Sequence, residues 1–231
     1  GFMNRTTREE LMPVLETALR DGLQVMTHVI GDRALRRTLD WYAEARDALP
    51  ESRWATQDLR WRLEHAQIIP PVDQQRLVDM RVIPSMQPSH AIGDLNFAPD
   101  RLGPERLAYA YPWQPLIDRG LRIIAGSDAP VEAGDPRIEF YAAITRTRLD
   151  GTAGQGWHPE FAVSREDALR MFTLWPAYGA FQEAERGSIR IGKYADLTVF
   201  DTDFMTAEPA AILDAETVLT LVGGRIGYTR D

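Results

Sequence analysis

His28, His65 and Asp128 stand out because each ends a short apolar run: Val25-Met26-Thr27-His28, Trp61-Arg62-Leu63-Glu64-His65 and Ile123-Ile124-Ala125-Gly126-Ser127-Asp128. Two imidazoles and a carboxylate form a nitrogen-and-oxygen donor set suited to Zn²⁺ or a similar divalent ion. Gln87 and His90 follow another such run, in Ser85-Met86-Gln87-Pro88-Ser89-His90. Four successive runs thus deliver an imidazole, amide or carboxylate at the carboxyl end. That end builds the active site of α/β barrels and also carries the ligand crevice of open doubly wound sheets. Taken singly, each residue has a plain structural reading. A His closing a buried strand is commonly a hydrogen-bonded core group, Asp128 before Ala-Pro can cap a turn, and Asp32 can cap a helix. Glu64 should face away from His65, because neighbouring strand residues alternate faces, and His158 reads as a solvated loop residue. The joint placement is what argues for a metal site.

Other chemistries fit less well. The chain has 231 residues and no Cys, which excludes disulfides, thiolate metal sites and a cysteine nucleophile. There is no G-x-S-x-G elbow, Walker loop or Rossmann glycine fingerprint. Lys193 falls in a predicted β appendage, which argues against a Schiff-base aldolase. A formal net charge of −8 argues against a nucleic-acid partner, and no apolar run is long enough to span a bilayer. A composition 44% hydrophobic and 26% charged is that of a globular protein with a sizeable core, and the expected compartment is the cytoplasm.

The elements that would position these residues alternate in type. Thr7-Arg8-Glu9-Glu10 has capping-box spacing ahead of Leu11, Val14, Leu15 and Ala18, and Gly22 stops that helix. Leu23–Ile30 reads as a strand buried on both faces, and Asp32 opens a second helix bearing Leu35, Leu39, Tyr42 and Leu49. A strand over Leu59–His65 precedes a helix begun by Pro71 with Val72, Leu77 and Met80 on its apolar face. Val82–Gln87 is the next strand. A loop is expected from Pro88 to Gly103, then a helix over Pro104–Arg119 that Pro112 and Pro115 should break or kink. Leu121–Ser127 is the most convincing strand. Helices over Arg137–Arg148 and Ser164–Trp175 flank a Gly-rich loop. After residue 182 short strands dominate: Gly187–Gly192, Ala195–Asp201 and a hairpin of Val218–Val222 with Arg225–Tyr228 about Gly223-Gly224. The first pattern predicts parallel βαβ units, the second a small antiparallel appendage.

Thr27-His28-Val29-Ile30-Gly31-Asp32-Arg33-Ala34, Leu63-Glu64-His65-Ala66-Gln67, Ser85–His90, Gly126-Ser127-Asp128-Ala129-Pro130-Val131, Ala142–Arg146 and the Gly187–Leu197 segment occur in order. Together they resemble the amidohydrolase superfamily, and within it amidohydrolase family 3, which includes N-substituted formamide deformylases. The resemblance implies an α/β fold: a (β/α)₈ TIM-like barrel of a metal-dependent hydrolase with a small β-sandwich appendage. It implies metal ligation by His28 and His65 from the fifth and sixth strands and by Asp128 from the eighth. Asp128 would also take the proton of the attacking water, and Gln87 and His90 would orient substrate. The implied cofactor is one or two divalent ions, Zn first among them, and the implied substrate is a small amide, formamide or cyclic amide.

Family members open the barrel with a His-x-His pair on the first strand and carry a bridging ligand on a middle strand. The only His residues here are His28, His65, His90 and His158. The expectation is therefore a C-terminal half: strands five to eight over residues 1–182 and part of the β-domain over 183–231. Alone it is expected to be inactive, its site completed by the N-terminal half of the barrel or by a second chain. The rival expectation is a non-catalytic α/β binding or scaffold protein that keeps the motifs for packing.

Overall fold

The computed structural model describes residues 6–151 and 157–230. In chain order its elements begin with α1 (Arg8–Asp21), β1 (Met26–Val29), α2 (Asp32–Ala48), β2 (Arg62–His65), α3 (Pro71–Met80) and β3 (Ile83–Met86). They continue with α4 (Pro88–Asp94), α5 (Ala98–Leu107), α6 (Trp113–Asp118), β4 (Ile124–Ala125), α7 (Pro136–Thr145), α8 (Arg165–Phe172) and α9 (Leu174–Gly179). The last are β5 (Leu197–Phe200), α10 (Pro209–Leu213), β6 (Thr217–Val222) and β7 (Arg225–Thr229). The chain is α/β, with parallel strands alternating with helices and an antiparallel sheet at the end. It forms two compact units, Gly1–Met86 with Ala98–Ile123 and Gln87–Phe97 with Ile124–Asp231. No described helix is long and apolar enough to cross a membrane.

In the first unit, Thr7 and Glu10 close a reciprocal capping box on α1, and Gly22 ends the helix at φ 70°. β1, β2 and β3 pair in parallel, with Thr27 opposite Leu63 and Leu63 opposite Pro84. Helix α2 starts at Asp32 with Gly31 as its cap residue, so Asp32 acts in the first turn rather than as the cap. It buries Leu35, Leu39 and Tyr42. The Tyr42 ring meets Trp61 edge-on at 4.8 Å, and its hydroxyl is 2.7 Å from Thr27 Oγ1 and donates to the Arg62 carbonyl at 3.3 Å. One side chain thus ties α2 to both β1 and β2, next to His28.

Three expectations for this unit change. Strand β1 is not buried on both faces: Met26 is 57% exposed, and among the described residues β1 is an end strand of its sheet. On α3 the buried positions are Asp73, Gln74 and Leu77, while Val72 faces outward. Asp73, only 1% exposed, accepts from Arg36 at 2.9 Å and Arg76 at 3.2 Å, and paired in this way its carboxylate can replace an apolar residue. The 104–119 segment is two helices rather than one. α5 kinks at Gly103, and α6 begins after Pro112, as a missing N–H and a fixed φ dictate.

In the second unit, the stretch after Pro88 begins as helix α4 with Pro88 at its first position, where the loop was expected. Only Ile124–Ala125 of the Leu121–Ser127 run is a strand. α7 is capped by Asp135 and ends at Arg146 in the left-handed region, and the buried Arg146 guanidinium donates to the Trp157 carbonyl at 2.6 Å. The Gly-rich stretch that follows α7 extends into 152–156, outside the described residues. Ser164 caps α8 as its spacing predicts. β5, β6 and β7 form the antiparallel sheet, with Gly223 and Gly224 supplying positive φ at the hairpin turn. Gly187–Gly192 is not a strand, and Ile189 and Ile191 lie exposed. Its neighbour Tyr194 donates to the Glu185 carbonyl, and Lys193 Nζ donates to those of Glu183 and Arg186, so the segment is folded onto the preceding turn rather than a ladder. A Cβ at Gly187 would fall 2.7 Å from that of Ala177 and 2.8 Å from the Thr173 carbonyl, so only glycine fits there.

Candidate metal centre and substrate loop

His28 and His65 sit near or at the carboxyl ends of adjacent parallel strands, His28 opposite Glu64 and Val29 opposite His65. This register brings the two rings together: their centroids are 4.5 Å apart and their planes cross at 70°. His65 is buried and His28 exposed, so the pair lies where the sheet edge opens. The backbone is strained there. His65 (φ 72°) and Ala66 (φ 45°) are both left-handed, a conformation that costs a non-glycine residue on the order of 1–3 kcal/mol. The Ala66 N–H nevertheless reaches the Val29 carbonyl at 2.7 Å, so the ladder continues through the turn and holds the His65 side chain at the strand end. Glu64 turns from His65 and accepts from Arg62 Nε at 3.1 Å, a structural pairing. Just beyond in the chain, Gln67 donates to the buried Tyr111 hydroxyl.

The remaining predicted residues belong to the second unit. Gln87 is buried at the start of α4, and His90, on α4, has its Nε2 4.0 Å from Glu132 Oε1. Asp128 is exposed, left-handed at φ 58°, and its carbonyl accepts from the Val131 N–H at 2.9 Å, closing a tight turn that contains the cis Ala129-Pro130 bond. His158 is not a solvated loop residue. Its ring stacks on Phe161 at 5.0 Å, and Nδ1 is 2.9 Å from Glu160, whose carboxyl this contact holds low.

Two adjacent imidazoles supply two of the four donors a zinc site takes. Among the described residues, no group of three or more His, Asp or Glu side chains is gathered closely enough to hold a metal. Sequence reasoning overlooked Glu139, a buried carboxylate on α7 whose Oε2 accepts from the Ser89 N–H at 2.9 Å. Burial pushes its carboxyl up to about 6, with Glu132 and Asp135 adding to the effect. Its only sequence signal was a charged residue within an otherwise apolar helix stripe.

This is an α/β protein that carries imidazoles at the ends of parallel strands. The amidohydrolase family model matches residues 2–228, and the chain belongs to that family. It is 31% identical over 221 residues to Protein LONG AFTER FAR-RED 3 of Arabidopsis thaliana, covering 95% of this chain and 36% of the relative. It is 28% identical over 228 residues to N-substituted formamide deformylase of Arthrobacter pascens, covering 98% and 40%. Among solved structures it is similar to an uncharacterized metal-dependent hydrolase of Pyrococcus horikoshii OT3, with a TM-score of 0.74 and 26% identity over 88% of this chain and 39% of that one. The chain thus spans about two fifths of the length of the relatives it matches, as expected of part of a barrel.

Proposed function

We propose that the chain carries part of the site of a metal-dependent hydrolase that cleaves the carbon–nitrogen bond of a non-peptide amide, formamide or cyclic amide with an activated water. The observation that carries this reading is the ring pair of His28 and His65 at the ends of adjacent parallel strands. Family membership and the metal-dependent hydrolase likeness support it. In this reading His28 and His65 hold a divalent ion, zinc first among the candidates, and Asp128 supplies the carboxylate. A bound ion of this kind acidifies water to a pKa of about 7 and polarises a carbonyl oxygen. Asp128 takes the water's proton and returns it to the leaving nitrogen, and Gln87 and His90 orient the substrate amide. The remaining donors come from a complementary N-terminal half or a second chain.

The test is zinc titration of the purified chain by calorimetry, with light scattering to read its assembly. Wild type binds zinc and His28→Ala or His65→Ala loses it; equal binding by wild type and both variants rejects the site. In the complete hydrolase, Asp128→Asn lowers kcat by about 10²–10⁴, the usual share of a general base, and full activity there removes Asp128 from the role. The absence of a three-donor group among the described residues favours a second reading, a non-catalytic α/β binding protein. A stable monomer that binds no zinc would support it.

A further inference from the structure

Helix α4 carries the two residues assigned to the substrate, Gln87 as its N-cap and His90 in its first turn. At seven residues it is too short to be held by its own backbone hydrogen bonds. Its first turn is also poorly served from within. Pro88 has no N–H, the Gln87 side chain makes no cap hydrogen bond, and the His90 N–H turns back to the Gln87 carbonyl at 3.1 Å. The Ser89 N–H finds its acceptor elsewhere: it donates at 2.9 Å to Glu139 Oε2 on α7, 50 residues further along the chain. Both residues are buried, Glu139 at 2% exposure and Ser89 at 3%. We propose that Glu139 is a positioning residue, a cap lent by α7 to α4 that fixes Gln87 and His90 where the substrate amide must be oriented. The inference rests on the substrate role proposed above for those two residues.

Packing does not fix α4 by itself. Between α4, α7 and the loop after β4 lies a cavity of about 250 Å³, lined in part by Ser89, Glu139 and Arg148, so α4 has room to shift. α7 is better anchored. Asp135 caps it through the Arg137 N–H at 2.9 Å, and Phe140, Tyr141, Ala142 and Ala143 are buried along it. The bond from Glu139 therefore ties the shorter helix to the firmer one. Placing a carboxylate there is costly. Burial pushes the Glu139 carboxyl up to about 6, against the Ser89 hydroxyl and N–H, which favour the ionised form, and Glu132 and Asp135 raise it further. No described cation pairs with it, since Arg137 is taken by Asp135 and Arg148 by Asn96. For stability alone an apolar side chain of similar volume would serve better, because it avoids the desolvation. For direction the carboxylate is superior, because it gives a helix N-terminus a charge-assisted bond of defined geometry.

The test separates reach from charge. Glu139→Gln keeps an acceptor at the same distance and loses the charge. Glu139→Asp keeps the charge but is one methylene shorter, so it falls short of Ser89. In the complete hydrolase, with N-butylformamide as substrate, Glu139→Gln should hold KM within about threefold of wild type at neutral pH, while Glu139→Asp raises it about tenfold with kcat and bound zinc little changed. In the 231-residue chain, hydrogen exchange read by two-dimensional NMR should find the Ser89 amide protected in wild type and in Glu139→Gln, and exchanging about tenfold faster in Glu139→Asp. An unchanged KM in Glu139→Asp, or an equal rise in Glu139→Gln, overturns the proposal, because the carboxylate would then serve stability or charge rather than position. So does an unprotected Ser89 amide in wild type, a result that needs no variant to fold. If wild type hydrolyses no amide, the proposed function falls and this inference with it; if wild type is active and the Glu139→Asp KM is unchanged, only the inference falls.

Discussion

Strands β1–β3 of the first unit are four residues each and pair in parallel, so each pairing must wait for an intervening helix to cross over. Every residue of β3 is buried, and Leu63, Trp61 and Tyr42 form an apolar layer with no exposure. In the second unit, β5–β7 are joined antiparallel, the last pair by a two-glycine hairpin, and no residue of the three strands is buried. The deepest polar residues of that unit are Arg146 at the end of α7 and Glu139 on it. Strands of similar length are therefore held by different means. The parallel set depends on distant apolar contacts, while the antiparallel set depends on local turn geometry and backbone ladders. The polar strand ends that could do chemistry in the first unit fall on the set that is rigidly packed, which suits residues that must hold fixed positions.

That contrast breaks first at its apolar layer. Leu63→Ala should cost about 2–5 kcal/mol in urea unfolding, because a fully buried leucine leaves a cavity its neighbours cannot close. A loss under 1 kcal/mol would mean that β2 is not packed as described. The second unit should instead respond to pH through Glu139. A carboxyl raised from 4.5 to about 6 stabilises the fold fully below pH 4.5, and that contribution is lost as pH rises through 6. The difference corresponds to about 2 kcal/mol. Glu139→Gln should therefore gain about that much relative to wild type between pH 4 and pH 7.5, read by urea midpoints at each pH. A gap between the two proteins that is the same at both values would contradict the raised carboxyl. The smallest effect belongs to the exposed sheet. Ile226→Ala on β7 should change stability by no more than about 0.5 kcal/mol, and a larger loss would show that this face is covered in solution.

Features that depend on neighbours along the chain were legible in the sequence. The Thr7–Glu10 box, the Ser164 cap, Pro71 at a helix start and the Gly223-Gly224 turn all follow from orphan N–H groups, fixed φ or permitted positive φ. The placement of His28, His65 and Asp128 at the ends of apolar runs was equally plain. What lay beyond the sequence depended on partners far along the chain. Asp73 takes an inward place that Val72 seemed suited to, because Arg36 and Arg76 stand ready to neutralise it. Ile189 and Ile191 alternate like a strand, but Lys193 and Tyr194 bind the preceding turn and no ladder partner is present among the described residues. The Leu121–Ser127 run shortens to Ile124–Ala125 for the same reason: apolar alternation states a preference, and pairing decides the length.

The sequence by itself determined which residues could bind a metal, move a proton or cap a helix, since side-chain chemistry and local backbone preference are properties of short segments. Only the tertiary structure decided that His28 and His65 face each other at 4.5 Å and that Ser89, Glu139 and Arg148 share one cavity. Those meetings join residues 37 to 59 positions apart or more closely spaced ones on different elements, and strand register and helix packing, rather than composition, set such distances.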